Sequence, residues 1–199
     1  MGSKERIQRI KEETRVSILD ASLQIVMEDG WQALSMRKIA DKIEYTAPII
    51  YEYFANKEGI LLELTRKGNL LLFQDLKKAR ENNETPEQQL TAMWIAYWDF
   101  AFANTQLYQL MFGVDCMCCE MVKALPEAEA ARKLIWETIA EVMKDTTPAE
   151  ELVCRKYYTF WSIIHGLISI NLVRRGTNDE MNQHILKDAI KGIINSINE

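Results

Sequence analysis

A short stretch, Tyr45–Gly59, combines aromatic hydroxyl groups, apolar side chains and one cation. It reads YTAPIIYEYFANKEG, with Tyr51, Tyr53 and Phe54 within four residues of one another and Lys57 just beyond them. A core helix has no need of phenolic hydroxyls, and a surface helix has no need of aromatic rings. Phenols bind phosphate oxygens, and apolar atoms contact thymine methyl groups. These residue types therefore point to contact with nucleic acid.

Two short helices joined by a tight break are predicted to present this stretch. Ser35 caps the first, MRKIADKI, and Thr46 caps the second, APIIYEYF, in which Pro48 suits the first turn. Such a pair is a helix-turn-helix, whose second helix lies in the major groove of DNA. Helical geometry buries Ile50 and Phe54 on one face. The outward residues are then Pro48, Ile49, Tyr51 and Glu52, with Tyr53 toward the inner edge.

Lys57 is predicted in the first turn of a long helix that Asn56 caps, roughly residues 57–81. A cation there opposes the helix macrodipole, at a cost of a few tenths of a kcal/mol. Its position suggests an external anion such as a phosphate; the alternative is that the ammonium is merely solvated. The preceding helix adds Arg37, Lys38 and Lys42 as candidates for backbone contacts.

The bulk composition limits the class of protein. The chain has 199 residues, 48% of them hydrophobic and 27% charged, with a net charge of −5. This balance excludes a uniformly cationic nucleic-acid binder but leaves room for a local basic face. The start of the chain lacks a signal-peptide pattern, and the longest apolar run, residues 159–173, is too short to span a bilayer. We expect a soluble, cytoplasmic protein.

Apolar residues recur at helical spacing almost throughout, so an all-α fold is predicted. The first helix is expected over about 12–28, after ten or so irregular residues, and to end at Gly30. Later helices are expected at 86–103, 106–113, 126–144, 149–174 and 179–196. We expect residues 1–57 to form a DNA-binding domain and residues 58–199 to form a ligand-binding and dimerisation domain.

Residues 12–60 resemble the DNA-binding domain of the TetR family of transcriptional regulators. The resemblance rests on ILDASLQIVMEDGWQALSMRKIADKI followed by TAPIIYEYFANKEGIL. It implies an all-α fold with three helices for DNA and about six for ligand and dimer. It also implies base-edge contacts from Ala47, Pro48 and Ile49, and phosphate or mixed contacts from Ser35, Arg37, Thr46, Tyr51, Tyr53 and Lys57.

Two residues depart from the family pattern. Glu44 stands where the turn usually has glycine, and we expect it to adopt a strained backbone. Glu52 places an acid toward the groove, where it either accepts a bond from cytosine N4 or is tolerated at the rim.

The C-terminal part resembles one branch of the family through the pattern Trp161-x-x-x-His165-Gly166 and through LYQLMFG at 107–113. Large adaptable side chains suit a mostly apolar ligand pocket, and the alternative is that they are plain core. Asp99, His165 and Asn171 are candidate polar groups of that pocket. The expected lining is Trp94, Tyr97, Trp98, Met111, Phe112, Trp136, Trp161 and His165.

The last two helices carry apolar stripes that predict a homodimer. Pairing about a two-fold axis would give a four-helix bundle. A two-fold dimer also reads a palindromic operator, which one short recognition helix cannot. The expected stripes are Phe160, Ile163, Ile164, Leu167, Ile168 and Leu172 on the first helix, and Ile185, Ile190, Ile193 and Ile194 on the second.

Three functional hypotheses follow. The primary one is a ligand-responsive transcriptional repressor, released from its operator by a small, largely apolar molecule. An enzyme is disfavoured because no nucleophile motif, phosphate loop or metal-ligand pair is present, and neither a cofactor nor a metal is expected. The third is a redox or metal sensor on the same scaffold, acting through Cys116, Cys118 and Cys119, although the usual zinc spacing is absent.

Overall fold

The computed structural model describes residues 2–113, 125–143, 148–174 and 178–197. The described residues form helices, and none of them forms a strand, so the predicted all-α class is confirmed. A short 3-10 turn, Trp31–Ala33, follows the first helix. The helices are α1 (Ser3–Asp29), α2 (Met36–Lys42), α3 (Ala47–Tyr53), α4 (Lys57–Glu81), α5 (Pro86–Ala103), α6 (Thr105–Phe112), α7 (Pro126–Val142), α8 (Glu150–Arg174) and α9 (Asp179–Asn195).

The chain divides into two compact units. The first comprises Met1–Gly68 and Gln106–Lys123, and the second comprises Asn69–Thr105 and Ala124–Glu199. Helix α4 therefore contributes its beginning to the first unit and its remainder to the second. Among the described residues, no helix is both long and apolar enough to cross a membrane.

Helix α1 begins about nine residues earlier than predicted. It starts at Ser3, and the backbone N–H of Gly2 donates to the carboxylate of Glu5 at 3.0 Å. Residues 4–13 are all exposed, and the buried face of the helix begins at Thr14 and Ile18. The prediction of an irregular N-terminus was wrong because helical hydrogen bonds continue past the point where the apolar pattern stops.

Gly30 ends α1 as predicted, with its φ at 80°. Its amide donates to the carbonyl of Val26 at 2.9 Å, which satisfies one of the orphan carbonyls at the helix end. A positive φ of this size is readily available only to glycine, and this backbone conformation explains why a glycine ends α1.

Each unit has its own apolar core. In the first, α1, α2, α3 and the start of α4 bury aliphatic side chains that are almost fully shielded, namely Ile18, Ile25, Val26, Ile39, Ile50, Ile60 and Leu64. In the second, α5 contacts α7, α8 and α9, and α7 contacts α8. The largest fully buried side chains there are Trp94, Phe100 and Phe160.

Candidate nucleic-acid interface

The connection between α2 and α3 is a tight turn that aims α3. Ser35 Oγ accepts the Lys38 amide at 3.2 Å, so the predicted cap of α2 is confirmed. Glu44 adopts φ 58°, and it is the one non-glycine residue at positive φ in the described chain. The predicted strain at this position is therefore present, because L-residues pay about 1–2 kcal/mol for left-handed backbone.

Thr46 precedes α3 in extended conformation but makes no side-chain capping bond. Its carbonyl instead accepts the Ile49 amide at 3.0 Å. Thr46 therefore occupies the predicted N-cap position of α3, but the expected capping bond from its hydroxyl is not made, and the residue is exposed.

The two faces of α3 differ sharply in exposure. Ile50 is completely buried and Phe54, just after the helix, is 5% exposed, as their spacing predicted. Beside this buried face, Tyr51 is 55% exposed. Thr46, Pro48 and Glu52 are also exposed, whereas Ala47, Ile49 and Tyr53 are half-buried. Of the predicted contact residues of α3, Pro48 and Tyr51 are thus accessible, and Ala47, Ile49 and Tyr53 are partly covered.

Arg15 of α1 holds the end of α3 and the start of α4. Its guanidinium lies 5.2 Å from the centre of the Phe54 ring and pairs with Glu63 at 3.0 Å. Glu63 also accepts a bond from Arg66 at 3.2 Å. Sequence reasoning missed Arg15 because its partners lie 39 and 48 positions away, beyond the reach of any local pattern.

The start of α4 is fixed by two bonds. Asn56 Oδ1 accepts the Gly59 amide at 2.9 Å, which confirms the predicted cap. Lys57 Nζ donates to the carbonyl oxygen of Trp31 at 2.8 Å. This bond gives the ammonium a partner inside the chain that sequence reasoning did not include, so an external phosphate is not needed to explain its position. A phosphate contact by Lys57 remains a prediction.

The cations of α2 have different surroundings. Lys38 pairs with Asp29 at 2.6 Å and Lys42 with Glu28 at 2.9 Å. Arg37 is exposed and takes part in no ion pair within the described parts of the chain. Of the three, Arg37 therefore keeps its charge available for an external anion.

Aromatic rings form a packed cluster in the second unit. Trp94 stacks on Phe160 with centroids 5.3 Å apart and meets Tyr97 edge-on at 5.5 Å. Tyr157 lies between Trp94 and Trp136, at 6.5 and 6.2 Å, and burial raises its pKa to about 12. The indole N–H of Trp94 is buried without a hydrogen-bond partner among the described residues.

The remaining predicted pocket residues fall into separate surroundings. Trp161 stacks on His165 at 4.8 Å, and burial lowers the pKa of that imidazole. Trp98 contacts Phe102 at 4.6 Å. Asp99 is exposed as a residue, but partial desolvation of its carboxyl raises the pKa of that group.

Met111 and Phe112 belong to the first unit. A Cβ added at Gly68 of α4 would lie 2.6 Å from Met111 Sδ, so α4 and α6 pack closely there. The Phe112 ring contacts the Tyr108 ring at a tilt of 51°, with centroids 5.0 Å apart.

The side chain of Asn171 is hydrogen-bonded to another side chain of the same chain. Its amide and that of Asn182 exchange hydrogen bonds of 2.7 and 3.3 Å between α8 and α9. Asn182 is 5% exposed. This pairing fixes the register of two helices and leaves Asn171 little capacity for a ligand.

A groove of about 550 Å³ lies between α5 and α9. None of the predicted pocket residues lines it. Its walls are Asn83, Glu87, Gln88, Thr91, Ala92, Ile95, Lys187, Ile190, Lys191 and Ile194.

The apolar stripes of α8 and α9 divide between core and surface. Phe160, Ile164 and Ile168 are buried inside the unit, as are Ile190 and Ile193. A different set stays exposed, namely Ile163, Ile170 and Val173 on α8 and Met181 and Ile185 on α9. The predicted stripes therefore mixed core residues with surface residues, because both lie at helical spacing.

The cysteine cluster Cys116, Cys118 and Cys119 lies outside the described residues. Cys154 is a half-buried free thiol. Within the described ranges, no group of three or more His, Cys, Asp or Glu side chains is arranged to hold a metal.

Two family profiles match the chain in the order that the fold suggests. The profile described as "Bacterial regulatory proteins, tetR family" matches residues 18–64. The profile described as "Tetracyclin repressor-like, C-terminal domain" matches residues 90–186. Together they cover more than half of the chain, and it belongs to the TetR family of helix-turn-helix transcriptional regulators.

The curated relatives include both an activator and a repressor of transcription. The transcriptional activator FasR of Mycolicibacterium smegmatis is 27% identical over 105 residues, covering 53% of this chain and 48% of FasR. The repressor KstR of Mycobacterium tuberculosis is 25% identical over 143 residues, covering 70% of this chain and 62% of KstR. The matches thus span less than two thirds of the length of either relative.

Solved structures share the fold. A Rhodococcus sp. RHA1 protein of unknown function has a TM-score of 0.78 at 20% identity, covering 93% of this chain and 95% of that one. FadR of Bacillus subtilis, solved in complex with stearoyl-CoA, has a TM-score of 0.71 at 15% identity, covering 89% and 98%. At these identities the likeness concerns the fold.

Proposed function

We propose that the chain is a repressor whose homodimer binds a palindromic operator and leaves it when a small, largely apolar molecule binds. The observation that carries the DNA part is the asymmetry of α3. Ile50 and Phe54 anchor the helix in the core, while Tyr51, about 100° round the helix from Ile50, is 55% exposed. An exposed phenol on an anchored short helix has no structural task, and it suits a phosphate or a base edge.

The proposed DNA contacts divide by chemistry. Ala47, Pro48 and Ile49 approach base edges, since small and apolar side chains fit thymine methyl groups. Hydroxyl groups and cations bind phosphates and set the register. That second set is Ser35, Arg37, Thr46, Tyr51, Tyr53 and Lys57.

The proposed dimer forms through α8 and α9. Ile163, Ile170 and Val173 are 43%, 55% and 80% exposed, and Ile185 of α9 is 39% exposed. Gly166 has no atom within 4 Å of an added Cβ, so a partner helix can approach there closely. Dimerisation covers these side chains and supplies the second recognition helix that a palindrome requires.

The proposed effector site lies among the aromatic residues of the ligand-binding domain, residues 58–199, while residues 1–57 form the DNA-binding domain. Two observations support an apolar effector. The Trp94 cluster is rich in large rings, and the structural neighbour FadR is complexed with stearoyl-CoA. The proposed lining consists of the predicted residues that belong to the second unit, namely Trp94, Tyr97, Trp98, Trp136, Trp161 and His165.

A release experiment tests this proposal. The full chain is bound to a fluorescent duplex that it has selected from a random pool, and acyl-CoA esters from acetyl to stearoyl are titrated in. Release with a 5–150-fold loss of affinity, the usual range of allosteric coupling, supports a repressor with an apolar effector. Tightened binding would indicate an activator instead, and no response to any ester would contradict this effector class.

A pair of variants locates the effector site. Trp161→Ala should reduce the response to the effective ester and leave affinity for DNA without ester unchanged. Tyr158→Ala is the matched control, since Tyr158 lies on the same helix but is 55% exposed. Equal responses from both variants would remove Trp161 from the site.

A further inference from the structure

Residues 4–11 of α1, KERIQRIK, form a basic arm. It holds four basic residues and one acidic residue, and no other eight-residue window of the chain has a larger net positive charge. Every residue of the arm is exposed. The arm is therefore positively charged, whereas the whole chain carries a net charge of −5.

The charge of the arm is barely neutralised within the chain. Arg9 pairs with Glu13 at 3.5 Å, but both side chains are more than half exposed, and such pairs contribute little. Lys4, Arg6 and Lys11 take part in no ion pair within the described residues. These three cations therefore face solvent, Lys4 and Lys11 on one face of α1 and Arg6 on the opposite face.

Two ion pairs place the arm relative to the helix-turn-helix. Arg15 pairs with Glu63, and Asp20 pairs with Lys67, so α1 and α4 run in the same direction. Helix α4 starts at Lys57, six residues before Glu63. Arg9 lies six residues before Arg15 and is therefore level with Lys57. From Arg9, α1 extends toward its N-terminus for roughly another 9 Å, at 1.5 Å per residue.

The arm thus projects at the end of the unit where α3 finishes and α4 begins. Phe54, which follows α3, contacts Arg15 just behind the arm. The family profile matches from residue 18 onward, so the arm lies outside the matched segment.

We propose that the basic arm is a second DNA contact, in which Lys4, Arg6 and Lys11 bind backbone phosphates beside the site read by α3. The proposal rests on the proposed DNA-binding function. The arm is continuous with α1 of the same unit, and its charge is opposite to that of the DNA backbone. Its exposed apolar residues, Ile7 and Ile10, are too few for the broad apolar face of a membrane-surface helix.

The test measures how affinity depends on salt. The full-length triple variant K4Q/R6Q/K11Q is compared with wild type on the duplex that wild type selects from a random pool, and on a scrambled duplex. The slope of log affinity against log salt should become shallower by about 1–3 for each arm of the bound dimer, because each lost phosphate contact removes about 0.9. The ratio of specific to scrambled binding should stay within about twofold, since phosphates carry no sequence information.

Two further variants complete the design. K77Q/K78Q/K133Q removes the same charge from exposed lysines of the second unit and should keep the wild-type slope. K4R/R6K/K11R retains the charge of the arm and should also keep it. Circular dichroism checks that all variants are folded.

The outcomes separate the arm from the proposed function. If wild type selects no duplex, the proposed function falls and the arm proposal falls with it. If wild type selects a duplex but the arm variant and the lysine control have equal slopes, only the arm proposal is overturned. An unchanged slope together with lost binding to phosphatidylglycerol vesicles would assign the arm to a membrane surface instead.

Discussion

The Arg15 guanidinium lies 5.2 Å from the centre of the Phe54 ring, and this contact joins α1 of the first unit to the end of α3. The same guanidinium pairs with Glu63 of α4. Three helices therefore share one side chain, and the orientation of α3 depends on it.

Removal of this side chain should destabilise the chain. We expect Arg15→Ala to lower the free energy of unfolding by about 1–2 kcal/mol, the combined worth of a cation–π contact and a half-buried ion pair. Urea unfolding measures it. Lys77→Ala, which removes an exposed partner of Glu81, is the control and should change stability by less than about 0.5 kcal/mol. Equal effects of the two variants would contradict the role of Arg15.

Tyr51 should matter for DNA and not for folding. Its side chain is 55% exposed, so Tyr51→Ala should weaken operator binding by about 1–2 kcal/mol, the loss of one phosphate or base contact, with unchanged melting and dimerisation.

Lys57→Gln should weaken DNA binding and also reduce stability, because it removes the bond to the Trp31 carbonyl. Anisotropy and thermal melting separate the two effects. Wild-type affinity in both variants would show that the contact set is wrong.

The strain at Glu44 predicts a stabilising substitution. At φ 58°, Glu44→Gly should raise the free energy of unfolding by up to about 1 kcal/mol relative to Glu44→Ala, since only glycine adopts this backbone without a Cβ penalty. Chemical denaturation of the two variants measures the difference. If the alanine variant is as stable as the glycine variant, the left-handed backbone is not present in solution.

The exposed isoleucines of α8 predict the dimer surface. Ile170→Lys should shift the protein toward monomer by at least tenfold, because a buried unpaired ammonium costs more than 1.4 kcal/mol. Sedimentation velocity measures the shift. Met27→Lys is the matched control, as Met27 is 66% exposed in the first unit and should leave assembly unchanged. A monomeric wild type, or a dimeric Ile170→Lys variant, would place the interface elsewhere.

Local chemistry was the part of the fold that the sequence predicted well. Ser35 and Asn56 cap their helices, Gly30 takes a positive φ, and Ile50 and Phe54 face the core. These outcomes depend on side chains and backbone within four residues of one another, which helical periodicity describes directly.

The contacts between residues far apart in the chain could not be predicted from the sequence. The bond from Lys57 to Trp31 spans 26 positions, and Asn171 meets Asn182 only because α8 and α9 pack together. The predicted stripe of α8 mixed buried Ile164 with exposed Ile163, since spacing identifies a helix face without saying what covers it. The candidate contact face of α3 was predictable because its two sides differ in residue type.

We expect two copies of this chain to recognise DNA together, each through its α3. The most direct test selects duplexes from a random pool and then measures anisotropy of the best one at fixed salt, with random duplex as competitor. We expect a palindromic site bound by a dimer, at least about a thousandfold more tightly than random DNA. Failure to enrich any sequence, with binding no tighter than to random duplex, would contradict it.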